Sequence, residues 1–231
     1  MAATQTSEAE LDEIAGSVIA RLGQAGFCPP ARAAFPSEGF HRVRDLIVER
    51  FQTPDTTMTN LACRVLYGLA WASRPETVLG LGTFVGYAAA WLFAPGLPAL
   101  GAYRARRLIA CDIDPDASEL ARRNFSQLPG GEAVEVLHVD ADRCVEEVEG
   151  PIDLLFLDVD SPSEGKAGYA RLLLAIRPKL ASGALVVAHD ITHPWFQADL
   201  SGYRTLVKDR SLFTASATLG VDPCGLEVTM V

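Results

Sequence analysis

Four acidic clusters, each directly after a short apolar run, are the residues of this chain best placed to do chemistry. They are Cys111-Asp112-Ile113-Asp114-Pro115, His138-Val139-Asp140-Ala141-Asp142, Phe156-Leu157-Asp158-Val159-Asp160 and His189-Asp190-Ile191-Thr192-His193. A carboxylate can accept hydrogen bonds from a ribose diol, ligate a hard cation or orient a hydroxyl group. A lone Asp after a strand is ordinarily a helix N-cap, and Asp114 and Asp142 are read as caps. Four successive strands that all end in acids point instead to a shared site. His189 and His193, two of the four histidines in the chain, add imidazoles that titrate near neutral pH. His189 is expected to act as general base or to position the acceptor. His193 is the alternative base, and His138 is read as structural.

The elements that must position these side chains begin with the stretch from Glu76 to Leu92. Val78, Leu79 and Leu81 read as a buried strand, Gly82 and Gly86 bracket Thr83-Phe84-Val85, and an Ala-rich helix follows. A strand, a glycine turn and a helix together form a nucleotide cradle, because glycine admits close backbone approach and the helix start offers unpaired N–H groups. From there strands at 77–81, 107–111, 133–138, 152–157 and 184–189 alternate with helices at 86–94, 116–127, 142–148 and 165–180, which means βαβ units and a parallel sheet. In such a sheet the ligand lies beyond the carboxyl ends of the strands, where the acidic clusters are. After a helix around 198–209, residues 211–217 and 225–231 read as an antiparallel hairpin. Three helices precede the first strand, over about 8–25, 38–51 and 57–72, the last following a Thr53-Pro54-Asp55 turn. Residues 94–105 read as a long loop.

Composition narrows the function classes. The 231 residues carry a formal charge of -9, which argues against general nucleic-acid affinity, and the basic run Arg104-Ala105-Arg106-Arg107 is read as a solvated loop. The five cysteines are scattered with no Cys-x-x-Cys pair, so reduced, mostly buried thiols are expected rather than a zinc site or a disulfide framework. The acidic N-terminus lacks the pattern of a signal peptide and no apolar run reaches the ~20 residues of a membrane span, so a cytoplasmic protein without membrane partners is expected.

Residues 77–88, TVLGLGTFVGYA, resemble the first motif of class I S-adenosylmethionine-dependent methyltransferases, and the aromatic Phe84 with Gly86-Tyr87 is similar to the catechol and caffeoyl-CoA type O-methyltransferases. The likeness extends through 108–115, 153–160, 183–190 and 222–228. It implies a Rossmann-like α/β fold with a mostly parallel seven-stranded sheet, a C-terminal antiparallel hairpin and N-terminal helices, divided as a helical cap at 1–55 and a methyltransferase domain at 56–231. It implies cofactor contacts from Gly80, Gly82, Thr83, Phe84, Gly86 and Tyr87, from Asp112 and Ile113 at the ribose, from Asp140 and Ala141 at the adenine, and from Asp158 beside the sulfonium. In metal-dependent members, two residues matched here by Asp158 and Asp190 help bind a divalent cation, Mg or Mn, that acidifies the acceptor.

Three departures accompany the likeness. Gly80 stands where the motif carries an acid, Ile191 where a third metal ligand stands, and Ser161-Pro162 where a lysine that serves as general base follows the Asp-x-Asp. Methyl transfer needs chiefly proximity, alignment and a deprotonated nucleophile, so these departures are compatible with it. The expected function is O-methylation of a small molecule in a biosynthetic pathway, with Asp158, Asp190 and His189 as catalytic residues, Trp195, Phe196 and Tyr203 as an aromatic wall, and a homodimer as the assembly. A non-methylating enzyme of the same cofactor, catalysing cyclisation or isomerisation, and a non-catalytic binding protein are the alternatives.

Overall fold

The computed structural model describes residues 6–54 and 58–231. Helices α1 (Glu8–Gln24), α2 (Ser37–Arg50) and α3 (Asn60–Ser73) precede β1 (Thr77–Leu81), and then α4 (Tyr87–Phe93), β2 (Arg107–Asp112), α5 (Pro115–Ser126), β3 (Val134–His138), α6 (Ala141–Glu147), β4 (Ile152–Leu157), α7 (Tyr169–Ile176) and β5 (Leu180–His189) alternate. A short α8 (Ser201–Leu206) leads to β6 (Ala215–Leu219) and β7 (Leu226–Met230). The strands form one seven-stranded sheet in the order β3-β2-β1-β4-β5-β7-β6. The first five are parallel and β7 runs antiparallel to both of its neighbours.

Each central strand is apolar on both faces because helices cover both. Val78, Leu108, Leu154, Phe156 and Val187 face the core shared with α1 to α5, whereas Leu79, Ile109, Leu155, Leu157 and Val186 face α6, α7 and α8. Helices α1 and α2 share their core with α3 and the sheet. The domain division at 55/56, the start of the third helix at Thr57 and Asp55 of the expected turn lie outside the described residues.

Some boundaries differ from the periodicity for local reasons. β5 begins at Leu180, ahead of the expected 184, because its register against β4 shifts between Ile152 and Leu154 and Gly183 takes a left-handed φ of 77°. α7 is shorter than 165–180 because 3-10 turns occupy 166–168 and 177–179, the second containing Pro178, which has no N–H to give. The second cap was placed wrongly. Asp114 caps α5, but the N-cap of α6 is Asp140, which accepts from the Asp142 amide at 2.9 Å, and Asp142 pairs with Arg171 instead.

Candidate active site

The parallel register brings Leu81, Asp112, Leu157 and His189 to one end of the sheet. There the turn after β1 is pinned to its neighbours: the amides of Gly82 and Thr83 donate to the Cys111 carbonyl at 2.9 and 3.1 Å, and the Asp158 amide donates to the Leu81 carbonyl at 2.9 Å. Gly82 has φ 74°, and a Cβ there would overlap the Asp158 backbone, so the close approach of the two strand ends requires glycine. Phe84, also left-handed at φ 48°, donates its amide to Asp112 Oδ2 at 2.6 Å, while Asp112 Oδ1 accepts from the Asp114 amide at 3.0 Å.

Two cavities open on this edge. The larger, about 400 Å³, is lined by Gly82, Phe84, Asp112, Ile113, Asp140, Ala141 and Asp158 among others. The smaller, about 140 Å³, is walled by Pro54, Met58, Thr83, Val85, Tyr87 and Ala88 and floored by Asp158, His189 and Asp190. Both share Gly82, Phe84 and Asp158, so they meet at the tip of the glycine turn. A glycine turn beside a strand-end carboxylate with lone pairs to spare, both lining the larger cavity, fits a nucleoside there.

The floor of the smaller cavity is a cluster of opposite charges. His189 Nδ1 lies 3.3 Å from Asp158 Oδ2 and 3.6 Å from Asp190 Oδ1, and Nε2 lies 3.1 Å from Asp222 Oδ2. Lys166 Nζ lies 2.7 Å from Asp158 Oδ1, 2.5 Å from Asp190 Oδ2 and 3.1 Å from the Tyr169 hydroxyl oxygen. Burial works against charge on His189, Asp158 and Lys166, and the partners prevail. Burial alone would lower the His189 pKa, but its hydrogen bonds to Asp158 and Asp222 push it up to about 10. Burial would raise Asp158 and lower Lys166, yet His189 and Lys166 hold the Asp158 carboxyl well below the usual carboxylate range, and the Asp158 and Asp190 charges push Lys166 up.

The structure brings together most of the residues expected from sequence. Gly82, Thr83, Phe84, Tyr87, Asp112, Ile113, Asp140, Ala141 and Asp158 line one cavity or both. Gly80 and Gly86 do not. Gly80 lies inside β1, where a Cβ would meet Thr83 Cγ2 at 2.5 Å, and Gly86, at φ 85°, starts α4 beneath Phe125, whose ring a Cβ would meet at 2.8 Å. Both shape the turn through packing. Both ring nitrogens of His189 face carboxylates, an arrangement that favours the protonated ring and so disfavours the general-base half of the expectation, not the acceptor-positioning half. His193 caps a 3-10 turn by accepting the Trp195 amide, and His138 bonds the Ile113 carbonyl. The aromatic wall is corrected. Tyr203 is buried against Tyr169, Trp195 stands 83% exposed, and neither they nor Phe196 line the two cavities.

Sequence reasoning missed two members of the cluster. Ser161 does stand where the lysine is expected, but the chain from Ser161 to Gly165 closes on itself, each amide donating to the other's carbonyl at 3.2 and 2.7 Å, and an amine re-enters the site as Lys166. One signal was available: with only three lysines against seventeen arginines, a lysine between the fourth strand and its helix is a marked choice. Asp222 arrives from the turn before β7, fixed by the Cys224 and Gly225 amides on Oδ1, and linear spacing gives no hint of that.

A methyltransferase-domain model matches residues 79–191. A catechol O-methyltransferase of Niastella koreensis is 30% identical over 173 residues, covering 71% of this chain and 72% of that protein. The chain belongs to the S-adenosylmethionine-dependent O-methyltransferases. Among solved structures, the O-methyltransferase from Bacillus cereus in complex with S-adenosylhomocysteine superimposes with TM-score 0.60 at 16% identity, over 95% of this chain and 99% of that one. The O-methyltransferase TomG from Streptomyces achromogenes, involved in tomaymycin synthesis and solved with S-adenosylmethionine, gives 0.58 at 19% identity, over 98% and 99%. At such identity these two attest the fold. Among the described residues no helix is long and apolar enough to cross a membrane.

Proposed function

We propose that this methyltransferase methylates a hydroxyl group on a small, largely apolar molecule such as a phenol, in a cytoplasmic biosynthetic pathway. The observation that carries the reading is the smaller cavity, whose apolar walls converge on carboxylates next to the glycine turn. Its volume of about 140 Å³ is close to the ~150 Å³ of an apolar cavity that accepts benzene. The name of the Niastella koreensis relative supports a phenolic acceptor, and the family makes a homodimer the expected assembly.

Gly82, Phe84, Asp112, Asp140 and Ala141 would hold S-adenosylmethionine, which supplies an electrophilic methyl group when bound. Asp112 would accept the ribose hydroxyls. The acceptor hydroxyl would donate to Asp190 Oδ1, the oxygen of the Asp190 carboxylate that faces no partner nearer than His189 Nδ1 at 3.6 Å. That contact aims the acceptor oxygen and receives its proton as the new bond forms. His189 and Lys166 hold the two carboxylates in one arrangement, and Pro54, Met58 and Tyr87 exclude water from the reacting oxygen.

The test is turnover with S-adenosylmethionine and a panel of simple phenols and catechols, read by mass spectrometry of the methyl ether and of S-adenosylhomocysteine. Asp190→Asn suits the left-handed backbone at this position, φ 65°, because Asn tolerates that region as Asp does. It should lower turnover by roughly 10²–10⁴-fold with S-adenosylhomocysteine affinity unchanged. A variant as fast as the parent removes Asp190 from the chemistry. A parent that binds S-adenosylhomocysteine yet methylates nothing in the panel counts against a phenolic acceptor.

A further inference from the structure

The divalent cation that the family resemblance implies for Asp158 and Asp190 does not fit the arrangement on these strand ends, because the carboxylates are already bridged from within the chain. The Lys166 ammonium touches one oxygen of each, at 2.7 and 2.5 Å, and His189 Nδ1 faces the remaining oxygen of each, at 3.3 and 3.6 Å. The next residue in line to ligate, Ile191, is apolar and its side chain is buried in the core on the α6 to α8 face. Two sets of side chains, Asp158 with His189 and Asp190, and His189 with Asp222 and Cys224, come within the spread a metal ion would need. Both depend on His189, each of whose nitrogens already faces a carboxylate.

Lys166 is not a visitor at this position. Its side chain is 4% exposed, and the rings of Tyr169 and Phe196 flank the ammonium, each with its centroid 5.4 Å from Nζ. The closed turn 161–165 delivers the backbone to this point, and α7 begins three residues later. The Lys166 ammonium already brings a full positive charge to both carboxylates at hydrogen-bond distance. An ion of charge +2 that used either carboxylate would lie within about 5 Å of the ammonium, where like charges repel strongly in a buried site, or would have to displace it.

We infer that Lys166 is a built-in cation: its ammonium bridges Asp158 and Asp190 in place of a divalent metal, and the chain holds its acceptor-binding carboxylates without one. The inference deepens the proposed methyl transfer and rests on that reading only where turnover is concerned. Metal binding can be measured independently.

The experiment titrates chelator-treated protein with Mn²⁺ and follows the free ion by electron paramagnetic resonance, beside a titration of S-adenosylhomocysteine that reports an intact fold. The parent should bind no stoichiometric Mn²⁺ up to ~1 mM, the weak end of protein sites for hard divalent cations. The variant Lys166→Ala, which vacates the place between the two carboxylates, should bind one Mn²⁺ per chain at least roughly tenfold more tightly than that limit. Lys166→Gln replaces it if the alanine variant fails to bind S-adenosylhomocysteine. Stoichiometric Mn²⁺ on the parent overturns the inference, and so does a folded Lys166 variant that gains none. Where the parent methylates an acceptor, its rate should be the same in excess chelator and in Mg²⁺, and a rate that collapses in chelator and returns with Mg²⁺ also overturns it. Absence of any methylated acceptor counts against the proposed function alone.

Discussion

Asp112 serves two partners with one carboxylate. Each oxygen accepts a backbone amide, from Phe84 at 2.6 Å and Asp114 at 3.0 Å, and each retains a lone pair for a ligand in the larger cavity. The residue therefore sets the left-handed turn at Phe84 and offers the diol acceptor at once. Asp112→Asn keeps the volume but turns one oxygen into a donor, which must confront either an amide N–H or a ligand hydroxyl. Affinity for S-adenosylhomocysteine should fall by roughly 10–100-fold, the ~1.5–3 kcal/mol of a hydrogen bond to a charged group, as read by calorimetry. Unchanged affinity would remove Asp112 from the cofactor site. This residue was legible in the sequence because its role follows from ending a strand in a parallel sheet. Lys166 and Asp222 were not, since their roles depend on where a turn and a hairpin return in space.

At the scale of elements, period and composition located every strand, and the bounds 77–81 and 152–157 coincide with those of β1 and β4. They failed where a local device breaks the pattern, as at the β4/β5 register shift and the 3-10 turns around α7. The segment between β4 and α7 is the instructive case. Its sequence reads as a replacement of the lysine by Ser161-Pro162, whereas its backbone is an excursion that starts and ends at the Ser161–Gly165 bridge. If closure is what delivers Lys166, the length of the excursion is immaterial. A variant with two glycines inserted between Pro162 and Ser163, which keeps the Ser161–Gly165 closure, should lose no more than about 1 kcal/mol in a denaturant titration, since modest lengthening of a loop alters closure entropy little. It should also retain turnover. Loss of turnover in a variant of normal stability would mean that the excursion itself, through contacts such as Glu164 with Arg171 at 3.1 Å, places the amine.

At the scale of the whole molecule, the N-terminal helices are fastened to the site at several points. Thr59 at the head of α3 donates its hydroxyl to the Val221 carbonyl at 2.8 Å, next to Asp222. Asn124 of α5 bonds both the Gln52 backbone, two residues ahead of Pro54 in the wall of the smaller cavity, and the Val85 carbonyl in the glycine turn. The fastening of α1 itself is ionic. Arg64 of α3, with no exposed surface, donates to Asp12 at 2.7 Å and Glu8 at 2.5 Å on α1 and packs over the Phe40 ring. Burial alone would raise the Asp12 pKa, but hydrogen bonds from Ser37, Arg64 and His41 outweigh it and hold the carboxyl below its ordinary value. Half-exposed Glu8 is screened by solvent, so Asp12 dominates the linkage. A carboxylate whose folded pKa is depressed stabilises the fold above its unfolded pKa, and that contribution is lost as pH falls through the folded value. Arg64→Met keeps the length and apolar contact but strips Asp12 of a charged partner. Stability at neutral pH should fall by about 3 kcal/mol, as for a buried pair broken on one side. The gap between parent and variant should be full near pH 7, start to narrow near pH ~4 as Asp12 is protonated in the variant, and close only below the depressed pKa of Asp12 in the parent. Denaturant titrations across that range decide the point: a gap of constant size would mean that Arg64 acts through packing on Phe40, and that α1 is held by apolar contacts alone.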